Sequence, residues 1–411
     1  MTPLLSSDEA LALQVRRTVE EISTALSGVT RELPGLSSGL AGMAVFHAYF
    51  HRTFQHEPSA ERAQELMSRA MELLAESQQP PSLFGGFTGV AWALLHLSRE
   101  LGLSEDEEPT ADVDELLLTH VGRSPWRGAY ELIDGLVGYG VYACERIGSP
   151  RGRAILEQVV LRLEELAVSR TEGLSWYTPP ELLPEWQRAL YPQGYYNLGV
   201  AHGVPGVILL LARACVHGVA EERARMLLEG AVRWLLAQRD SRDARASFGT
   251  VISAGAPVRR PSRIAWCYGD LGLSVALLQA ARSVGRSDWE DEALRTARRA
   301  AERPSGESGV RDAGLCHGAA GNAHLFHRLY SASGEAVFRE ASRAWLVHTL
   351  ELRHEGEGFA GFRVWQQDAS GESWIASPGL LSGASGVGLA LLAALGPVEP
   401  EWDRLFLASA R

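Results

Sequence analysis

Two thiols and two imidazoles stand at matching places in this chain of 411 residues. Cys267 lies in Trp266-Cys267-Tyr268-Gly269 and Cys316 in Leu315-Cys316-His317-Gly318, each two residues before a glycine. His317, and His202 in Ala201-His202-Gly203, each stand one residue before a glycine. Two thiolates and an imidazole are soft donors of the kind zinc takes, and a set of three leaves one coordination position open, the catalytic arrangement. A structural zinc closes with four protein ligands, and no fourth is apparent at a matching position. His202 is open to three readings: a fourth ligand, a packed core histidine, or a general acid/base. Its place before a glycine of another repeat favours the acid/base. Arg263 precedes Cys267 by four residues, where a guanidinium can steady an oxyanion, hold a carboxylate, or form an ordinary surface ion pair. Glu131 and Asp134 precede Gly135 by four residues and by one. Either can orient His202 or pair with Arg263, and spacing does not choose between them. Cys144 and Cys215 lie inside apolar runs and read as small hydrophobes. His47, His51, His324 and His327 fall a turn or more past the glycines and read as packed or solvated.

The glycines are what must position these residues. Seven Gly-x-x-Gly pairs occur: Gly39/Gly42, Gly86/Gly89, Gly135/Gly138, Gly203/Gly206, Gly269/Gly272, Gly318/Gly321 and Gly383/Gly386. One such pair means little, whereas seven in phase are an internal repeat. Each pair opens a run that is apolar on most sides, such as Val90-Ala91-Trp92-Ala93-Leu94-Leu95, which marks a helix buried all round. Amphipathic, charge-rich stretches alternate with these runs at 8–27, 60–78, 151–170, 220–238, 288–302 and 335–352, with a short seventh near 112–121. The pattern predicts about fourteen helices in seven hairpin repeats. A linear stack of repeats needs polar caps at its ends, yet the first and last inner runs are as apolar as the middle ones. The expected fold is therefore all-α, an α/α toroid forming a single domain over 1–411, with inserts near 173–197 and 239–262. In such a ring the equivalent positions converge on one rim. The glycines there permit positive φ and close backbone approach, and the inner-helix N-termini favour anions.

Composition removes several classes. A net charge of −11 argues against a nucleic-acid partner, and all 39 basic residues are arginine. Hydrophobic residues at 46% and charged residues at 22% are globular values. No apolar run reaches the length of a membrane-spanning helix, and the first residues lack the apolar core of a signal peptide, so the expected location is cytoplasmic. The four cysteines are too scattered for a disulfide scaffold. The aromatic and proline-rich insert at 173–197 reads as a peptide-binding surface or as a packed loop. The insert at 239–262, with Arg239, Arg242, Arg245, Arg259 and Arg260, reads as a basic loop that covers the site or meets an acidic leader peptide, or as a solvated loop.

The ordered set of seven glycine pairs, Ala-His-Gly, Trp-Cys-Tyr-Gly and Cys-His-Gly resembles the lanthionine synthetase C (LanC) family of lanthipeptide cyclases along essentially the whole chain. The resemblance implies an α/α toroid with zinc on Cys267, Cys316 and His317, and His202 as an acid/base. It further implies a role for Arg263 beside the first cysteine, and for Glu131 where some members carry Asp. The activity implied is zinc-dependent formation of thioether rings, with peptide cysteine thiolates adding to dehydroalanine or dehydrobutyrine. The implied partners are a dehydrated precursor peptide (leader plus core) and a separate dehydratase and transporter. With no dehydratase or kinase domain in view, the expected form is the stand-alone cyclase. The rivals are a LanC-like protein that binds peptides or glutathione without making rings, a zinc-dependent thiol alkyltransferase of the prenyltransferase kind, and an α/α-toroid glycosidase. The alkyltransferase would typically use an Asp-Cys-His site and a basic diphosphate pocket; the glycosidase would need two carboxylates and no zinc.

Overall fold

A computed structural model describes the chain except residues 3, 7, 32, 103–107, 241–245, 254–261, 369–370, 397 and 410–411. In chain order the elements are α1 (Glu9–Ser27), α2 (Leu40–Phe54), α3 (Glu57–Glu76), α4 (Phe87–Leu101), α5 (Ala111–Val121), α6 (Leu136–Glu145) and α7 (Pro150–Leu166). There follow β1 (Ala167–Arg170), β2 (Gly173–Thr178), α8 (Glu185–Leu190), β3 (Tyr195–Asn197), α9 (Val204–Val216), α10 (Glu221–Ala237) and β4 (Val251–Ile252). The remainder are α11 (Asp270–Val284), α12 (Ser287–Glu302), α13 (Ala319–Ser333), α14 (Ala336–Glu351), β5 (Val364–Asp368), β6 (Gly371–Ile375) and α15 (Ala384–Leu395).

The seven apolar runs are the helices α2, α4, α6, α9, α11, α13 and α15, and the amphipathic stretches are α1, α3, α5, α7, α10, α12 and α14. Burial follows the sequence pattern. In α15 every residue from Ala384 to Ala394 is buried, whereas α12 buries a single stripe of Trp289, Ala293, Thr296, Ala297 and Ala300. At the start of α7 the Ser149 side chain accepts from Gly152 N at 3.0 Å and Pro150 fills the first turn, a cap legible in the residues themselves. Gly285, at φ 70°, ends α11 and lets α12 begin at Ser287.

Packing pairs five of the inner helices with the amphipathic helix that follows each: α2 with α3, α6 with α7, α9 with α10, α11 with α12, α13 with α14. The alternation of the two kinds of stretch leaves open which neighbour an inner helix packs on. Short turns decide it, since helices joined by two to four residues lie antiparallel and touch. The first helix, α1, packs on the last, α15.

The chain forms two compact units. The first comprises residues 1–110 and 310–404, with inner helices α13, α15, α2 and α4 side by side, each touching the next. The second comprises 111–309 and 405–411, with α6, α9 and α11 side by side.

Strands were not foreseen. In the second unit an antiparallel sheet runs β1-β2-β3-β4, pairing Ala167 with Trp176, Tyr177 with Tyr196 and Asn197 with Val251. The insert at 173–197 is thus β2, α8 and β3 rather than a loop. Its buried Trp176 anchors it, donating from Nε1 to Leu163 O at 2.8 Å. In the first unit β5 and β6 form a hairpin with Trp365 opposite Trp374. Of the 239–262 insert, Arg242, Arg245, Arg259 and Arg260 lie outside the described residues, while Arg239 forms an ion pair with Glu292 at 3.1 Å. Among the described residues no helix is long and apolar enough to cross a membrane.

Candidate functional site

The first glycine of every pair is the N-cap of an inner helix. Positive φ explains only one of them, Gly269 at φ 108°; the other six have negative φ. Close approach explains the rest. A Cβ on Gly86 would collide with the Pro80 carbonyl oxygen, and one on Gly203 with the Asn197 carbonyl oxygen, in both cases six residues back. The chain before each inner helix is therefore folded hard over the helix N-terminus, and the residues just before the glycine are presented on a fixed turn.

Backbone hydrogen bonds stitch these turns together. In the second unit Leu132 N donates to Ala201 O at 3.1 Å and Ala201 N to Cys267 O at 3.5 Å. In the first, Cys316 N donates to Leu381 O at 2.8 Å, Leu381 N to Ser37 O at 3.1 Å and Ser37 N to Phe84 O at 2.9 Å. Each such bond contributes about 0.5–1.5 kcal/mol net, and in series they fix the register of one turn against the next.

The second unit holds a histidine–carboxylate pair. His202 Nδ1 lies 2.7 Å from Glu131 Oε2, and Glu131 is itself held by the backbone N–H groups of Ile133 and Asp134, at 3.0 and 2.7 Å. Asp134 is exposed, so the choice between the two carboxylates falls on Glu131. Burial works against a charged His202, but the hydrogen bond and charge of Glu131, with smaller help from Cys267 and Asp134, outweigh it and raise the imidazole pKa above its usual value. The imidazole remains 45% exposed, with Glu131 at 11% behind it. Asn197 supports the same turns: its Oδ1 accepts from Gly199 N at 2.8 Å and its Nδ2 donates to the Tyr268 hydroxyl at 2.9 Å. The Tyr268 ring sits 6.4 Å from that of His202, and Cys267 is 6% exposed. Arg263 is half-buried and forms no ion pair with Glu131 or any other described residue. The surface ion pair considered for it is absent there.

In the first unit, Cys316 (9% exposed) and His317 sit in the turn that opens α13. Beneath them lies Asp312, a fully buried carboxylate that sequence reasoning missed. Its Oδ1 accepts from Gly314 N and its Oδ2 from Trp365 N, both at 3.0 Å, and Oδ2 stands 3.7 Å from His317 Nε2. The signal was available. Asp312 lies six residues before Gly318, as Asn197 lies six before Gly203, and each has a glycine two residues on whose N–H its side chain caps.

The remaining candidates are structural. Burial pushes the Cys144 thiol up to about 12 and that of Cys215 up to about 11, so both are inert. His324 is buried against Asp403 at 2.8 Å, and His327 donates from Nε2 to Thr2 O, 2.7 Å away. Burial lowers both His47 and His327 to about 4.

A family model described as "Lanthionine synthetase C-like protein" matches residues 33–407, and the chain belongs to that family. Among curated proteins, it is 25% identical to nisin biosynthesis protein NisC of Lactococcus lactis subsp. lactis over 262 residues, 58% of this chain and 60% of that protein. It is 24% identical to glutathione S-transferase LANCL1 of Danio rerio over 301 residues, 71% of this chain and 69% of that protein. It is also 27% identical to LanC-like protein GCL1 of Arabidopsis thaliana over 149 residues, 36% of this chain and 31% of that protein. The matched stretch thus spans less than two thirds of NisC. Among solved structures, one titled "Nisin cyclase" superposes with a TM-score of 0.75 at 19% identity, covering 96% of this chain and 97% of that one. That likeness shows the fold, the α/α toroid expected from the glycine repeat.

Proposed function

We propose that the chain is a zinc-dependent lanthipeptide cyclase, a single functional domain in which Cys267, Cys316 and His317 hold the metal. The observation that carries this reading is the donor set. Cys267 stands in the turn that opens α11, two residues before its capping glycine, and Cys316 and His317 stand in the turn that opens α13, two residues and one residue before theirs. Two cysteines and one histidine suit zinc, and the set leaves room for a substrate sulfur. Asp312 behind His317 fits too, since a metal-bound histidine commonly donates its other ring N–H to a carboxylate. When bound, zinc would supply the Lewis acidity that lowers a peptide cysteine's thiol pKa and keeps it as a nucleophile near neutral pH.

The chain's own residues then handle the proton and the charge. Sulfur bonds to the β-carbon of a dehydroalanine or dehydrobutyrine in the same peptide, and the π pair moves to the α-carbon. His202, held by Glu131 and with its pKa raised, is a proton donor matched to that carbon. Arg263, without an ion-pair partner among the described residues, supplies positive charge for the developing enolate oxygen. The peptide is isomerised, so its mass does not change.

The similarity to nisin biosynthesis protein NisC favours a dehydrated precursor peptide as substrate. The similarity to a glutathione S-transferase, over a larger share of this chain, favours a second reading in which the attacking thiol is glutathione. Both are thiol additions to an electrophilic carbon. Metal analysis of the purified chain, followed by incubation with a dehydrated precursor, tests the proposal. Loss of free peptide thiol at constant mass is expected; an adduct heavier by one glutathione, with no ring formed in its absence, selects the second reading. A chain that binds no zinc and changes neither peptide overturns both.

A further inference from the structure

Two of the turns place a carboxylate against a histidine, but they meet opposite edges of the imidazole. Glu131 meets Nδ1 of His202, whereas Asp312 faces Nε2 of His317. Asp312 is fixed from three directions. It is fully buried, its Oδ1 is tied to Gly314 N, and its Oδ2 receives Trp365 N from strand β5. A Cβ on Gly318 would fall against Asp312 Oδ1, so the carboxylate also fills the space under the helix start. A carboxylate tethered in this way cannot swing aside, and the ring edge it faces is chosen by the turn.

We propose that Asp312 is the positioning residue of the metal centre: it holds His317 with a proton on Nε2 and thereby assigns Nδ1 as the nitrogen offered to a divalent cation. The inference rests on the reading of Cys267, Cys316 and His317 as metal ligands and adds to it the tautomer and its cause. The 3.7 Å separation is too long for a hydrogen bond. It lies within reach of one after a shift of under about 1 Å, the kind of tightening that ligation of the opposite nitrogen produces. Trp365 also makes Asp312 a junction between the β5–β6 hairpin and the turn carrying Cys316 and His317.

The first test is spectroscopic and uses the full-length zinc-loaded protein. In a long-range ¹H–¹⁵N correlation spectrum, His317, assigned by comparison with His317→Ala, shows a protonated Nε2 and a Nδ1 shift typical of a metal-bound nitrogen. A metal-bound Nε2 overturns the proposal, and this readout does not depend on any Asp312 variant folding. The second test is a double-mutant cycle on zinc affinity, measured by competition with a chromophoric chelator. Asp312→Asn weakens binding by roughly 10–100-fold, and Asp312→Glu recovers part of the loss. In the His317→Ala background, Asp312→Asn has no further effect. Full additivity, or unchanged affinity in Asp312→Asn, shows that Asp312 only closes the turn. If the unmodified chain binds no zinc, the ligand assignment itself fails, an outcome separate from a chain that binds zinc through Nε2.

Discussion

His202 and His317 occupy the same place in their repeats, one residue before the glycine that caps an inner helix, and each has a carboxylate beside it. The carboxylates come from different sources. Glu131 reaches His202 from the preceding repeat, 71 positions away in sequence, and its own backbone bonds are local. Asp312 belongs to the same turn as His317 and is buried within it. A carboxylate borrowed through space onto a 45% exposed imidazole tunes a proton that solvent can reach. A carboxylate sealed beneath the turn fixes a ring in place. On the proposed function, the same backbone carries one histidine that moves protons and another that holds a metal.

The largest expected effect falls on the holding side. Cys316→Ala loses both bound zinc and ring formation, read by metal analysis and by free-thiol titration of the peptide. On the proton side, His202→Ala keeps its zinc and lowers kcat by about 10²–10⁴-fold, the usual worth of a general acid or base. Loss of the metal from His202→Ala would erase the distinction between the two histidines. Glu131→Gln sharpens it with a smaller effect. The carboxylate raises the His202 pKa, and the donor must be protonated, so activity falls as pH rises through that pKa. Without the carboxylate charge the alkaline limb of the kcat profile moves to lower pH, while zinc content stays the same. An unmoved limb would exclude His202 as the titrating donor.

The smallest effect concerns stability. His47, buried in the first unit and lowered to about 4, stays neutral when folded while the unfolded chain takes up a proton below its ordinary value. Stability from this group is therefore full above pH 6.5 and declines as pH falls towards 4. His202 has the opposite sign. Its raised pKa adds stability below the unfolded value, and this is lost as pH rises through the folded one. His47→Leu should flatten part of the acid limb of a Tm-versus-pH curve, by about 2–4 °C for each kcal/mol recovered. An unchanged acid limb would mean that His47 does not stay neutral in the fold.

Much of this was legible in the residues. The glycine pairs marked the start of all seven inner helices because backbone collision leaves glycine no substitute there, a constraint visible one residue at a time. The apolar and amphipathic runs gave the helices because 3.6-residue periodicity survives any arrangement of neighbours. The strands were missed because Ala167–Arg170 and Gly173–Thr178 are short and acquire their pattern from each other and from α10. The choice of Glu131 over Asp134 needed a partner from another repeat, which spacing cannot supply. Asp312 was overlooked although its spacing to Gly314 and Gly318 repeats that of Asn197 to Gly199 and Gly203. The positive φ expected of the capping glycines holds at Gly269 alone, since the others answer to contact and not to torsion.

The residues immediately before the seven capping glycines are Ser38, Gly85, Asp134, His202, Tyr268, His317 and Ser382. Nothing in the backbone collisions that demand glycine next door constrains what these neighbours are. The side chains at these places can therefore differ on a common frame, and a library randomised at Ser38, Gly85 and Ser382 should yield folded proteins with altered surface chemistry. New reactivity can be installed there without redesigning the scaffold.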